Sequence, residues 1–230
     1  APAVAQTSNT AGAVKYTLIL FNNTLLPGDV VAYTNGIEPL GIAYDPQNGY
    51  LYVTDHGSNI VSVINPSTDE VVATIPVGFG PWGIVYDPQN GYLYVTDRGS
   101  DSVSVINPST DEVVAIIPVG RFPLGITYDP QNGYIYVANN RSDTVSVINS
   151  ATNKVIANIP VGSSPHGIAY DPKNGYLYVT NCGSESVSVI NPSTNTVIAN
   201  ISVGRSPQGI AFDPQNGYIY VTNFCSDSVS

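Results

Sequence analysis

The sequence is short of charged residues, and this shortage excludes some classes of partner. Charged residues make up 10% of the 230 positions, compared with about 25% in an average soluble domain. Seven residues are Lys or Arg and 17 are Asp or Glu, so the formal net charge is −10. No cluster of Lys and Arg is present to contact phosphates, which argues against a nucleic-acid partner.

Long apolar runs and methionine are also missing. Without a run of about 18 apolar residues, the sequence predicts no membrane-spanning helix. The chain has no Met, and its first five residues are small and apolar, which is typical of a mature N-terminus left after removal of a signal peptide. N-glycosylation sequons occur at Asn22, Asn140 and Asn200, and we treat them as candidate sites. Together these features predict an extracellular or cell-surface protein.

What the chain does contain is a repeat with a fixed period. The ten-residue motif that begins at Asp45 returns, nearly unchanged, after every 42 residues. Its later copies begin at Asp87, Asp129, Asp171 and Asp213. A period of about 40–45 residues with four short strands is typical of a propeller blade. The repeats occupy residues 38–230.

Each unit has the pattern of four strands joined by turns. In the first unit we predict strands over 41–44, 50–54, 61–64 and 71–75, all rich in β-branched and aromatic residues. The Asp-Pro-x-Asn-Gly segment between the first two is a turn signal, because Pro presets φ and Gly accepts a positive φ. No room remains for a helix, so the fold class is all-β.

The number of blades follows from how the repeat begins and ends. Four units are complete, and a fifth supplies two strands and the start of a third. Residues 1–13 are interpreted as a flexible tail. Residues 14–37 are interpreted as a hairpin that carries the missing strand types and closes the ring, which removes exposed sheet edges. The prediction is a single five-bladed β-propeller over 14–230, with a fragment of a six- or seven-bladed propeller as the alternative.

The repeated elements also resemble a known family. The sequence Tyr-Val-Thr-Asn at 178–181 and 220–223, with recurring Pro-x-Gly-Ile, Asp-Pro-x-Asn-Gly and Val-Ile-Asn-Pro, is similar to the YVTN β-propeller repeats. Such repeats occur in archaeal surface-layer proteins and in some secreted bacterial proteins. The resemblance covers residues 39–230 and departs from the pattern at Asp55, Asp97 and Ala138. It implies a propeller at or outside the cell surface, with a role in adhesion or envelope structure and no defined reaction.

Few residues carry a signal for chemistry. The five turn aspartates are predicted to hydrogen-bond the backbone of their own turns, with a cation-binding ring of carboxylates as the alternative. His56 and His166 lie in different parts of different repeats and are interpreted as incidental. No Gly-x-Ser-x-Gly elbow, phosphate loop or His-Glu-x-x-His motif occurs. The sequence therefore predicts no catalytic residue, no metal and no cofactor.

Cys182 and Cys225 occupy nearly the same place in adjacent units. In an exported protein this placement favours a disulfide between two blades. Spacing alone does not establish the distance that such a bond requires, so two free thiols stay open as the alternative.

The loops of one face differ between repeats, whereas the turns of the other are almost identical. We call this variable face the rim, and its loops follow the second and fourth strands of each blade. A variable, partly aromatic surface is suited to a binding partner, with neutral drift as the alternative. The candidate binding residues are Leu40, Trp82, Phe122, Leu124, His166 and Gln208.

These features predict a non-enzymatic propeller that contacts protein or glycan at the cell surface. A structural subunit of a surface layer or filament, self-assembled by strand donation, is the second hypothesis. A propeller enzyme, such as a lactonase or a quinoprotein-like protein, ranks last. Such an enzyme needs several acidic, Arg or His side chains that converge on the channel mouth, and the rim offers mainly apolar and amide residues there.

Overall fold

Residues 8–10, 13–15 and 36–230 are described by the computed structural model of the protein. Ser8–Thr10 (β1) and Ala13–Lys15 (β2) pair with each other as a short antiparallel hairpin, inside and just after the segment expected to be a tail. Of the predicted ring-closing hairpin, residues 16–35 lie outside the described residues. No helix among the described residues has the length and apolarity needed to cross a membrane.

From Pro39 onward the strands form five antiparallel sheets in chain order. Blade 1 comprises β3 (Pro39–Tyr44), β4 (Leu51–Asp55), β5 (Ile60–Asn65) and β6 (Glu70–Pro76). Blade 2 comprises β7 (Pro81–Asp87), β8 (Tyr92–Asp97), β9 (Ser102–Asn107) and β10 (Glu112–Pro118). Blade 3 comprises β11 (Pro123–Asp129), β12 (Tyr134–Asn139), β13 (Thr144–Asn149) and β14 (Lys154–Pro160).

Blade 4 comprises β15 (Pro165–Asp171), β16 (Tyr176–Asn181), β17 (Ser186–Asn191) and β18 (Thr196–Ser202). Blade 5 comprises β19 (Pro207–Phe212), β20 (Ile219–Asn223), the 3₁₀ turn Phe224–Ser226 and β21 (Ser228–Val229). The first strands of the five blades line one central channel. The prediction of an all-β, five-bladed propeller is confirmed.

The repeated turn owes its shape to side chains that bond its own backbone. Asp45 Oδ1 accepts a hydrogen bond from the backbone N–H of Gln47, and Asn48 Oδ1 accepts one from Tyr50, both at 2.8 Å. Gly49 has φ +78°, a conformation that favours glycine. The Asp contact recurs at 2.8 Å in the turns of Asp87, Asp129, Asp171 and Asp213. The structural role predicted for the turn aspartates is confirmed.

The core lies between blades, because each sheet packs one face on the next. Tyr52 and Ile75 of blade 1 pack against Leu93 and Val95 of blade 2 in one cluster of buried side chains. Equivalent clusters join blade 2 to blade 3 and blade 3 to blade 4. Burial of each such side chain contributes about 1.5–3 kcal/mol. Tyr220 is 41% exposed where Tyr52 is fully buried, so blade 5 has a less covered face than blade 1.

A buried threonine fixes the spacing between neighbouring first strands. Thr54 Oγ1 accepts a hydrogen bond from the Gly41 N–H at 2.8 Å and donates to the Trp82 carbonyl of the next blade at 2.7 Å. Thr96 and Thr180 make the equivalent pairs of bonds, ending on the carbonyls of Leu124 and Gln208 at 2.8 Å. These bonds hold the inner strands, and therefore the channel wall, in register.

Candidate functional site at the channel mouth

Three sets of equivalent positions meet on the rim around the channel mouth. The first set lies between the Pro and Gly that open each first strand: Leu40, Trp82, Leu124, His166 and Gln208. The second follows each second strand: His56, Arg98, Asn140, Cys182 and Phe224. The third immediately precedes each Pro: Glu38, Gly80, Phe122, Ser164 and Ser206. Because the backbone repeats, side chains alone distinguish one sector of the mouth from another.

Four of the six candidate binding residues line the same cavity. Leu40, Trp82, His166 and Gln208 face the channel, together with glycine and isoleucine residues of the first strands, around a volume of about 370 Å³. Leu124 is instead buried in the wall. Phe122 lies farther out on the rim, where it contacts two arginines.

Both histidines of the chain contact its single tryptophan. The centroid of the His56 ring lies 5.8 Å from that of Trp82, and the centroid of the His166 ring lies 6.0 Å away. Both pairs meet edge to face, at interplanar angles of 85°. The interpretation of the two histidines as incidental, made because they are far apart in sequence, missed this convergence.

Glu38 and Arg98 each lie close to one ring nitrogen of His56. His56 Nδ1 lies 3.2 Å from Glu38 Oε2, and its Nε2 lies 3.4 Å from the Arg98 guanidinium. Since an arginine can only donate, Nε2 acts as the acceptor and the proton lies on Nδ1, toward the carboxylate. A histidine held in this tautomer orients Arg98 and keeps its positive charge at the channel mouth.

Arg98 and Arg141 both stack on Phe122. Each guanidinium carbon lies 4.0 Å from the ring centroid, and that of Arg98 is also 5.2 Å from the Trp82 ring. Burial, and then the charge of Arg141, lower the pKa of Arg98. Within the described part of the chain, neither arginine forms an ion pair with a carboxylate, and Arg98 Nε is buried without a hydrogen-bond acceptor. This sector of the mouth can therefore accept an anionic group.

The surroundings of His166 favour its neutral form. Burial lowers the pKa of His166, and the positive charge of Arg98 lowers it further. A neutral imidazole and a guanidinium that both contact Trp82 combine a proton acceptor with an oxyanion-stabilising group, which is an arrangement suited to acyl chemistry.

The other candidate sites are the two cysteines and the three sequons. Cys182 and Cys225 are free thiols, so the candidate disulfide is not formed in the structure. The Asn140 side-chain amide donates to the Pro165 carbonyl at 3.1 Å, whereas Asn200 is exposed and Asn22 lies outside the described residues. Among residues 36–230, no group of three or more His, Cys, Asp or Glu side chains is placed to hold a metal ion.

Comparison with known proteins shows the family. The sequence model of the family described as "Lactonase, 7-bladed beta-propeller" matches residues 16–156. The chain belongs to this lactonase family. The family description names seven blades, whereas residues 39–230 of this chain form five. No curated protein sequence matches the chain.

Solved propellers are similar to this lactonase-family chain in fold. Hydrazine synthase of Kuenenia stuttgartiensis matches with TM-score 0.76 and 24% identity, over 86% of this chain and 59% of that one. Virginiamycin B lyase of Staphylococcus aureus matches with TM-score 0.70 and 18% identity, over 84% of this chain and 68% of the lyase chain. A putative 6-phosphogluconolactonase of Bacteroides uniformis matches with TM-score 0.74 and 15% identity, over 94% of this chain and 73% of that one. The chain thus spans about three fifths of the first of these proteins and more of the others.

The expectation of a non-enzymatic surface protein is wrong. The match to the lactonase family points to an enzyme instead. The prediction of a structural layer subunit is overturned by the same finding. The resemblance to YVTN repeats holds at the level of a β-propeller repeat protein.

Proposed function

We propose that this protein is an enzyme that opens a cyclic ester at the mouth of its central channel. The observation that carries the proposal is the convergence of His56, His166 and Arg98 on Trp82. Trp82 and His166 also line the central cavity. The chain has two histidines and one tryptophan, and all three meet here. Membership of the lactonase family supports the same reaction class.

In the proposed reaction His166 acts as the general base. Its neutral imidazole takes a proton from a water molecule, and the water oxygen bonds to the lactone carbonyl carbon. Arg98 donates hydrogen bonds to the oxyanion that develops, and His56 with Glu38 keeps Arg98 in place. The ring C–O bond then breaks, and the leaving alkoxide takes the proton back from His166. The product is an open-chain hydroxy acid.

The charge distribution supports an acidic lactone as substrate. Arg98, Arg121, Arg141 and Arg205 are the four arginines of the chain, and all lie on rim loops. Arg98 and Arg141 have no carboxylate partner in the described part of the chain, so an acidic group of the substrate can pair with them. Trp82 offers an apolar wall beside the reacting carbonyl.

The proposal is tested by measuring lactone opening directly. Six-membered sugar lactones with and without an acidic substituent are incubated with the protein, and acid release is followed at constant pH. We expect His166→Gln to lower kcat/KM by at least about 100-fold, because a positioned general base contributes that much. Gln47→Ala, on the opposite face, is the matched control and leaves the rate unchanged.

Mass spectrometry of the product separates hydrolysis from elimination. Hydrolysis adds one water to the substrate, whereas a lyase yields an isomer of unchanged mass. A product with the mass of the substrate would show that the reaction at this site is an elimination and not a hydrolysis. A protein that opens no lactone of the panel faster than buffer, or a His166→Gln variant as active as wild type, would contradict the proposal.

The pH profile gives a second test of the role of His166. A general base works only when it is unprotonated, and the pKa of His166 is lowered by burial and by Arg98. We expect kcat/KM to rise with pH through a midpoint below about 6.5 and then to stay level. A profile that falls as pH rises from 5 to 7 would show that His166 acts as an acid.

We further propose that the protein works outside the cell, as its sparse charge and its sequons suggest. Asn200 lies exposed on β18 and leaves room for a glycan. The amide of Asn140 is occupied by its bond to Pro165. Mass analysis of the native protein before and after enzymatic deglycosylation tests this: a glycan on Asn200 alone agrees with it, and an unmodified Asn200 argues against it.

A further inference from the structure

The threonine that joins neighbouring inner strands is absent at one place in the propeller. In blades 1, 2 and 4 a Thr hydroxyl accepts from a Gly N–H of its own blade and donates to a carbonyl of the next. Blade 3 has Ala138 at this position. No side-chain hydroxyl among the described residues therefore bonds the Gly125 N–H or the His166 carbonyl.

The backbone around Ala138 is spaced as in the other blades. A Cβ added at Gly125 would lie 2.4 Å from the His166 carbonyl oxygen. A Cβ added at Gly41 would lie at the same distance from the Trp82 carbonyl oxygen. Ala138 itself is fully buried. A threonine at position 138 would thus meet the same surroundings as Thr54, and only the hydroxyl group and one methyl are missing.

The residue that loses this bond is His166, the proposed general base. The peptide that carries the His166 carbonyl keeps the bond from its Gly167 N–H to Thr180 Oγ1 at 2.8 Å. The Asn140 amide bonds the preceding carbonyl, that of Pro165, at 3.1 Å. The equivalent residue of blade 5, Gln208, is held twice, by Thr180 on its own carbonyl and by Cys182 Sγ on the preceding one at 2.7 Å. The His166 carbonyl therefore lacks the threonine bond that the carbonyls of Trp82, Leu124 and Gln208 accept.

We infer that Ala138 is a positioning residue, which leaves the His166 main chain free to shift between its contact with Trp82 and the reacting lactone. A buried polar group without a strong hydrogen-bond partner lowers the stability of the folded state. Local instability of this kind is typical of parts of a site that must move. The inference rests on the proposed role of His166. It concerns the chain's own motion, so it can also be measured without substrate.

Ala138→Thr and Ala138→Val form a matched pair for the test. They have nearly the same shape, and only threonine carries the hydroxyl that restores the bonds to Gly125 and His166. We expect Ala138→Thr to raise Tm by about 4–8 °C relative to Ala138→Val, because each of the two restored hydrogen bonds contributes about 2–4 °C in a chain of this size. We also expect it to lower kcat by at least about threefold with an unchanged KM, because only a conformational step is slowed.

NMR relaxation of the two histidine side chains supplies the readout that needs no activity. The His166 ring should show microsecond-to-millisecond exchange in wild type and in Ala138→Val, and reduced exchange in Ala138→Thr. A His56→Gln variant assigns the signals. Equal exchange in all three proteins, or equal kcat values for the Thr and Val variants, would overturn the inference. If no variant opens a lactone, the proposed function fails and the NMR comparison still decides the role of Ala138.

Discussion

Asp97 is a buried carboxyl group, and its replacement by Asn gives a quantitative test of how the blades are held. It ends the second strand of blade 2 and is fully buried. Its Oδ2 accepts hydrogen bonds from Ser104 at 2.7 Å and from Ser102 at 3.3 Å. Burial raises the pKa of Asp97 from 3.8 to about 6, although the hydrogen bonds from Ser104 and Ser102 partly oppose the shift.

The size and sign of the effect follow from this shift. Because the pKa of Asp97 is higher in the folded state, the folded protein binds its proton more tightly than the unfolded chain. The associated stability is present below about pH 4 and is lost as pH rises through about 6. At pH 7 the ionised carboxylate lowers the free energy of unfolding by about 3 kcal/mol relative to acid, at 1.36 kcal/mol per pKa unit.

Part of the stability gained by Asp97→Asn at pH 7 is offset by the loss of one hydrogen bond. In blade 3 the equivalent Asn139 donates to Ser146 at 2.8 Å, and Ser146 in turn donates to Asn158 Oδ1 at 2.7 Å. Blade 2 has Ile116 in place of Asn158, so the Ser104 hydroxyl would lose its acceptor. This loss costs about 1 kcal/mol. We expect Asp97→Asn to raise the free energy of unfolding at pH 7 by about 2 kcal/mol.

Urea unfolding between pH 3.5 and 8, followed by far-UV circular dichroism, measures the effect. The stability difference between Asp97→Asn and wild type should grow from pH 4 to 7 and then stay constant. Adding Ile116→Asn should recover the missing hydrogen bond, and Asn139→Asp should produce the opposite pH dependence in blade 3. A difference between wild type and Asp97→Asn that does not change with pH would refute the reasoning.

Two further predictions compare equivalent positions in different blades. Tyr94 is fully buried, and its Oη accepts a hydrogen bond from Asn90 at 2.8 Å and donates one to Asn153 at 3.0 Å. Tyr94→Phe should therefore lower the free energy of unfolding, measured by urea titration, by about 1–3 kcal/mol. Tyr220→Phe, at the equivalent position that is 41% exposed, should lower it by less than half as much. Gly167→Ala would place a Cβ 2.4 Å from the Gln208 carbonyl oxygen, whereas the Cβ of Gly209→Ala would lie 2.9 Å from its nearest neighbour, the Thr222 hydroxyl. Gly167→Ala should therefore lower Tm by several times more than Gly209→Ala. Equal losses of Tm would contradict the packing of the inner strands.

The fold could be predicted from the sequence because each signal is local and repeated. The Asp-Pro-x-Asn-Gly turn needs only its own side chains and a glycine at positive φ, as Asp45 and Gly49 show. A fixed period then places the same turn in every blade. The residue that ends each second strand is harder to interpret. It is Asp in blades 1 and 2 and Asn in the next three, yet it bonds the same serine of the third strand in each complete blade.

The candidate site could be predicted only in part: the sequence placed Trp82 and His166 on the rim, but not their contacts with His56 and Arg98. Those contacts depend on which positions of different blades face one another. His56 follows a second strand, whereas Trp82 and His166 begin first strands one and three blades later. In sequence these positions look unrelated, and only the ring geometry brings them together. A usable signal did exist: with the repeats aligned, the two histidines, the tryptophan and Arg98 all fall in two of the variable columns.

The same alignment separates two meanings of variation in this propeller. Asp97 and Asn139 differ in charge and still make the same contact, each with a compensating change at Ile116 or Asn158. Such pairs preserve a structure. Ala138 has no compensating partner: its missing hydroxyl leaves Gly125 and the next blade without a bond that the other complete blades make. An uncompensated exception beside the proposed general base is therefore a stronger pointer to function than the more numerous changes in the exposed loops.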